Sequence, residues 1–214
     1  MRYIKRCIWL LASVTTLNIN AATPPAHDGS SEAAQHLQQR LQAMKTYSAS
    51  FQQKILGKKR VLSQSSGTMA LQRPGKFVWN TLSPMKQRVV ADGRQIWIYD
   101  VELEQVTVKG QQKGMGGTAG LFLSGAATDV LGDFSVREKS QGSQVKYDLQ
   151  AHSGKDNFQR VQLQFDGNNL SAIELYDQLG QHTIVHLSQV KMNPVLSAKL
   201  FTFKPPKGVD VVRQ

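Results

Sequence analysis

Cysteine is almost absent from this 214-residue chain: Cys7 is the only one, and it lies in the first ten residues. A disulfide scaffold is therefore excluded. Long apolar runs are also missing. The longest, from Cys7 to about Leu17, is far short of the ~20 residues a bilayer-spanning helix needs. Negative charge is scarce, with 15 Asp plus Glu against 26 Lys plus Arg and a formal net charge of +11. With 40% apolar residues, 17 Gly and 7 Pro, the chain is neither a disordered polyelectrolyte nor a collagen-like rod. Its length suits one domain, or two at most.

The start has the grammar of a secretory signal. Met1-Arg-Tyr-Ile-Lys-Arg6 places three cations before the apolar run, and small and polar residues to Ala22 close it. Cleavage is expected after Ala21 or Ala22, giving a signal peptide over 1–21 and a single mature domain over 22–214. Cys7 would leave with the signal, so no thiolate nucleophile or Cys-ligated metal remains. Without Arg2, Lys5 and Arg6 the balance is 23 against 15, or +8. An exported, cysteine-free chain of this kind fits a bacterial periplasm. Its positive charge points to an anionic membrane surface or an acidic protein partner, not to nucleic acid. Lys58-Lys-Arg60 reads as a solvated turn.

One helix stands out. Ser30 is placed to cap it, Glu32 sits in its first turn, and Ala33, Leu37, Leu41 and Met44 form a narrow apolar stripe. From Tyr47 the period changes to two. Strands are expected from Phe51, over Ser66–Gln72, Phe77–Leu82, Gln87–Ala91 and Gln95–Tyr99, the last continuing through Glu104–Val108. Asp92-Gly93 marks a tight hairpin. Further strands follow at Phe134, Val145–Leu149, Phe158–Phe165, Leu170–Tyr176, His182–Val190 and Phe201–Phe203. About ten short strands imply one large antiparallel sheet or barrel. A Gly-rich stretch over 110–131 interrupts them and is expected to be a mobile insert of the lid type.

Catalytic patterns are weak. Gly114-Met-Gly-Gly-Thr-Ala119 matches a dinucleotide fingerprint, but it lacks the strand–turn–helix setting that gives the motif its chemistry. His182 and His186 lie four apart on a strand and are expected to be sheet residues, not metal ligands. Glu102 and Glu104 share a strand face and read as a solvated edge. No catalytic residue, cofactor or metal site is expected. More informative is an apolar face that carries Met69 and Leu71 on one strand and Phe77 and Trp79 on the next. It is either a core packed under the helix or a wall around an apolar ligand. Arg73 shares that face, and an inward arginine needs partners.

An ordered set of strings gives the chain a resemblance. Tyr47-Ser-Ala-Ser-Phe-Gln-Gln53, Arg73-Pro-Gly-Lys-Phe-Val-Trp79, Ser83-Pro84, Val90-Ala-Asp-Gly93, Trp97-Ile-Tyr99 and Gln105-Val-Thr107 come in sequence. Phe158, Leu170, Asp177, Gly180-Gln181 and Phe201-Thr-Phe-Lys-Pro-Pro-Lys-Gly-Val209 follow. Together they resemble the LolA family of periplasmic lipoprotein carriers. The resemblance implies a single antiparallel sheet curved into an unclosed, half β-barrel under a helical lid. It implies a monomeric chaperone, not an enzyme, that accepts triacylated lipoproteins from the inner-membrane ABC transporter LolCDE and delivers them to the outer-membrane receptor LolB. The implied acyl-chain positions are Phe51, Met69, Leu71, Phe77, Trp79 and Val89 on the sheet, with Leu37, Leu41, Leu121, Phe122 and Leu123 on the lid. Arg73 would latch the lid. A periplasmic module binding a small lipid or fatty acid is the alternative. The receptor itself would need a lipidated cysteine at the cleavage site, and a two-domain sensor would need a longer chain.

Overall fold

The structure, a computed structural model, describes residues 29–111, 131, 133–152 and 158–214. The expected signal segment 1–21, the motif at 114–119 and Leu121, Phe122 and Leu123 lie outside these residues. In chain order the elements are α1 (Gly29–Ala43), β1 (Thr46–Leu56), β2 (Val61–Gln72), β3 (Lys76–Ser83), β4 (Gln87–Asp92), β5 (Gln95–Asp100) and β6 (Gln105–Gly110). They continue with β7 (Phe134–Gln141), β8 (Gln144–Ala151), β9 (Phe158–Asp166), β10 (Asn169–Asp177), β11 (His182–Met192) and β12 (Asp210–Arg213).

All twelve described strands join one sheet in the order β12-β6-β5-β4-β3-β2-β1-β11-β10-β9-β8-β7. Every neighbouring pair is antiparallel except β12 with β6, which is parallel. The two halves meet where β1 pairs with β11, from Tyr47 opposite Met192 to Leu56 opposite His182. Residues from β5 and β7, nine strands apart in that order, nevertheless belong to one apolar cluster. Laid flat they would be roughly 40 Å apart at ~4.8 Å per strand. The sheet must therefore curl around the cluster, and its ends, β7 and β12, do not pair with each other.

Period-two patterning decides which face is inside. On β8, Val145, Tyr147 and Leu149 are buried between Lys146, Asp148 and Gln150; on β9, Val161, Leu163 and Phe165 do the same. The inner face is closed over by Ala33, Leu37 and Leu41 of α1 and by Met44 just after it. A smaller cluster lies on the outer face. There Phe201, in a short 3-10 helix (Ala198–Phe201), packs with Ala70, Val78 and Val90, next to Trp97 and Phe203. Asp92-Gly93 turns as expected: Gly93 has φ 101°, and Asp92 Oδ1 accepts from the N–H of Arg94 (2.7 Å) and Gln95 (2.8 Å).

Four expectations need correction. Ser30 is inside α1, not its cap, because the helix starts at Gly29. β1 and β2 are longer than expected, starting at Thr46 and Val61, because each pairs with the other along its whole length. A turn over 101–104 separates β5 from β6; Glu104 takes φ 49° and Glu102 Oε1 accepts the Lys86 N–H at 2.8 Å. Glu102 and Glu104 therefore share no strand face. Phe201–Phe203 is not a strand, because the strands beneath it already have partners on both edges; the last strand is β12.

Candidate functional site: the inner apolar face and its helix

The residues expected to contact acyl chains converge where the structure describes them. Phe51 on β1, Met69 and Leu71 on β2, Phe77 and Trp79 on β3 and Val89 on β4 all point inward and are buried. Leu37 and Leu41 of α1 join the same cluster. Phe51 and Trp79 stack with ring centroids 3.9 Å apart, and Phe77 lies 6.0 Å from Trp79. Register explains the stack. Phe51 stands opposite Gly67 on the intervening β2, and a Cβ there would lie 3.0 Å from the Phe51 ring and only 1.9 Å from the Asn80 carbonyl oxygen.

Sequence reasoning did not assign the other wall of the same trough. Val136, Tyr147, Leu149, Leu163, Phe165 and Leu187 face the same cluster. The signal was present in the clean alternation of β8 and β9, but no quoted string marked them as a site.

The helix is tied to this second wall. Arg40 Nε donates to the Tyr147 hydroxyl (3.1 Å), an Arg40 Nη donates to the Gly167 carbonyl (2.8 Å), and the guanidinium lies 5.2 Å from the Phe165 ring centre. His36 Nδ1 is 2.9 Å from Glu138 Oε2 on β7. Arg40 was not singled out from sequence, being one cation on a polar face. At the end of the helix Asn193 acts as a clamp. Its Oδ1 accepts from the N–H of Lys45 and Thr46, and its Nδ2 donates to the Ala43 carbonyl. Tyr47 donates to the Leu170 carbonyl at 2.6 Å, and burial pushes its phenol above the ordinary value.

Arg73 follows β2 directly, and its backbone N–H donates to the Lys45 carbonyl at 2.8 Å, beside the link from α1 to β1. Its Nε and one terminal nitrogen are shielded from solvent. Burial brings its pKa down to about 10, so it is still a cation at neutral pH. A charge at the margin of an apolar trough is costly without partners and specific with them.

The outer face of β8–β11 holds the charged groups. Arg160 meets Asp148 with both ends of its fork, at 2.6 and 2.9 Å, and lies over the Tyr176 ring. Tyr176 donates to Glu174, which Lys146 and His182 also approach. Burial opposes ionisation of Asp148 and Glu174, but these partners outweigh it and hold both carboxyls below their ordinary values. Burial and the bond to Glu174 push Tyr176 up to about 12. His182 is thus engaged with Glu174 and stacked on Tyr176, whereas His186 is exposed. Among the described residues no group of three or more His, Cys, Asp or Glu side chains could hold a metal.

The model of the family described as outer membrane lipoprotein carrier protein LolA matches residues 42–204. An outer-membrane lipoprotein carrier protein of Legionella pneumophila (strain Corby) is 56% identical over 185 residues, 86% of this chain and 92% of that one. The chain belongs to the LolA family. Carriers of the same description from Dechloromonas aromatica and Hahella chejuensis are 38% and 34% identical, covering 87% and 96% of this chain and 89% and 98% of theirs. Among solved structures, an uncharacterized conserved protein from Thermus thermophilus aligns with TM-score 0.54 at 14% identity, over 85% of this chain and 99% of that one. That likeness concerns the fold alone. The family is one of lipoprotein carriers and not an enzyme family.

Proposed function

We propose that this LolA-family chain is a periplasmic chaperone. It receives triacylated lipoproteins from an inner-membrane LolCDE-type transporter and passes them to an outer-membrane LolB-type receptor. Residues 1–21 act as the signal peptide and 22–214 as a single, monomeric carrier domain. The observation that carries the reading is the trough itself: an aromatic and aliphatic inner face covered by a helix whose polar ties go to one wall.

In this reading the acyl chains displace α1 and lie against Phe51, Met69, Leu71, Phe77, Trp79 and Val89. Leu37 and Leu41 are the cover's contribution, together with Leu121, Phe122 and Leu123. An acyl chain of about fifteen methylenes carries roughly 12 kcal/mol of transfer free energy at ~0.8 kcal/mol per CH₂. Three chains approach ~36 kcal/mol, so unaided escape into water is negligible and a soluble carrier is needed. Release requires that the empty state compensate. Apolar side chains of α1 re-cover the trough, and Arg73 regains hydrogen bonds to the lid that loading had broken.

The test uses the exported, processed protein with spheroplasts supplied with ATP. A triacylated lipoprotein should leave in a soluble one-to-one complex, seen by size exclusion and mass spectrometry. No release with an active transporter would overturn the reading. A free lipid co-purifying in native mass spectrometry would then put a small-lipid binder in its place.

A further inference from the structure

The β1–β2 hairpin carries three consecutive exposed cations, Lys58, Lys59 and Arg60. No ion pair among the described residues engages them. The hairpin also overhangs its neighbour. β2 pairs with β1 back to Val61 opposite Leu56, but with β3 only from Ser66 onward. Five residues of β2 run past the end of β3, roughly 16 Å at ~3.3 Å per residue.

The tip is apolar as well as basic. Val61 is 48% exposed and Leu62 46%, and Leu179 in the β10–β11 turn is 78% exposed. The two turns are adjacent: a Cβ on Gly180 would lie 3.4 Å from Lys58 Cε. These aliphatic residues are not the fringe of the core. Ser63-Gln64-Ser65-Ser66 separate Val61 and Leu62 from Gly67 and Met69, where burial begins. The acid in the neighbouring turn, Asp177, is occupied by the N–H groups of Leu179 and Gln181.

Cations at a loop tip with aliphatic side chains beside them fit a negatively charged phospholipid headgroup layer. Phosphates meet the Lys and Arg side chains, and the boundary with the acyl region takes the aliphatics. An acidic protein surface would match the charge but would need an apolar patch of its own to cover the aliphatics, which a bilayer supplies everywhere. We infer that the β1–β2 hairpin, together with Leu179, docks reversibly on bilayers containing anionic phospholipid. Each basic side chain is worth roughly fivefold in partitioning near such a surface. Three of them with a small apolar set give transient residence, well short of an anchor. The inference stands apart from the carrier reading, since a carrier that never touched lipid would still load and deliver.

The test sediments the exported protein with vesicles of phosphatidylcholine alone or with 30% phosphatidylglycerol. Binding should favour the anionic vesicles by tenfold or more and fall at least tenfold in 0.5 M NaCl. Lys58→Glu/Lys59→Glu/Arg60→Glu should abolish the preference, and Val61→Ser/Leu62→Ser should weaken it, with unchanged thermal unfolding. On the exported protein, a polarity-sensitive dye at Lys59→Cys should shift to the blue on anionic vesicles, and one at Asn168→Cys, at the opposite end of the sheet, should not. Equal binding to both vesicles, no binding to either, unaffected charge-reversal variants or equal dye shifts at both ends would each overturn the inference.

Discussion

Phe51 and Trp79 stack across an intervening strand, with ring centroids 3.9 Å apart and planes 25° from parallel. The two strands do not pair with each other; β2 lies between them and offers Gly67 at that level. The stack therefore depends on a residue with no side chain.

Gly67→Ala should be among the more damaging single substitutions on the inner face. The new methyl meets the Asn80 carbonyl and the Phe51 ring. Overpacking of this kind costs about 1–3 kcal/mol. The urea midpoint reads the loss; a variant as stable as the parent would show that β2 and β3 can part without penalty.

Trp79→Glu should abolish loading of lipoprotein from spheroplasts, because a carboxylate in the trough is incompatible with acyl chains. Trp79→Leu, which keeps the face apolar, should still load. Circular dichroism on both separates loss of binding from loss of fold. Normal uptake by the Glu variant would remove this wall from the cargo site.

Arg73→Leu should load cargo and hold it. If the latch hydrogen bonds favour the empty, closed state by about 1.5 kcal/mol, their loss slows transfer to the receptor roughly tenfold. Transfer kinetics with receptor in excess would measure this. Unchanged kinetics would sink the latch.

Stability should fall in acid through Asp148 and Glu174. Their folded pKa values are depressed, so they contribute stability above the ordinary carboxylate range and lose it as pH falls through the lower folded values. Asp148→Asn should lower stability by about 1 kcal/mol at neutral pH, as expected for a partly exposed ion pair. It should also flatten the fall as pH drops below the ordinary carboxylate range. Thermal melts across that range, parallel in parent and variant, would assign the acid slope to other groups.

The β-sheet was legible because its strands alternate so regularly; Val145, Tyr147 and Leu149 announce their face without help from any partner. The break at 101–104 was not, since Val101-Glu-Leu-Glu104 contains no Gly, Pro or Asn and continues the apolar/polar alternation. Phe201-Thr-Phe203 has the same alternation and is not a strand, because its aromatic residues serve a second, outer layer. The site was half legible. Its β1–β4 wall carries the strings that resemble the family, while Tyr147, Phe165 and the helix tie through Arg40 depend on contacts more than a hundred residues apart in sequence.

A closed barrel has its radius set by strand number and stagger. Among the described residues this sheet ends in two rims, β7 and β12, that do not pair with each other, so its curvature is a continuous variable that can change without breaking any rung of the ladder. The trough is in effect a spring clip. Under the proposed function it would widen for bulky cargo and tighten when empty, using the small twist available at each of eleven strand junctions in place of a hinge.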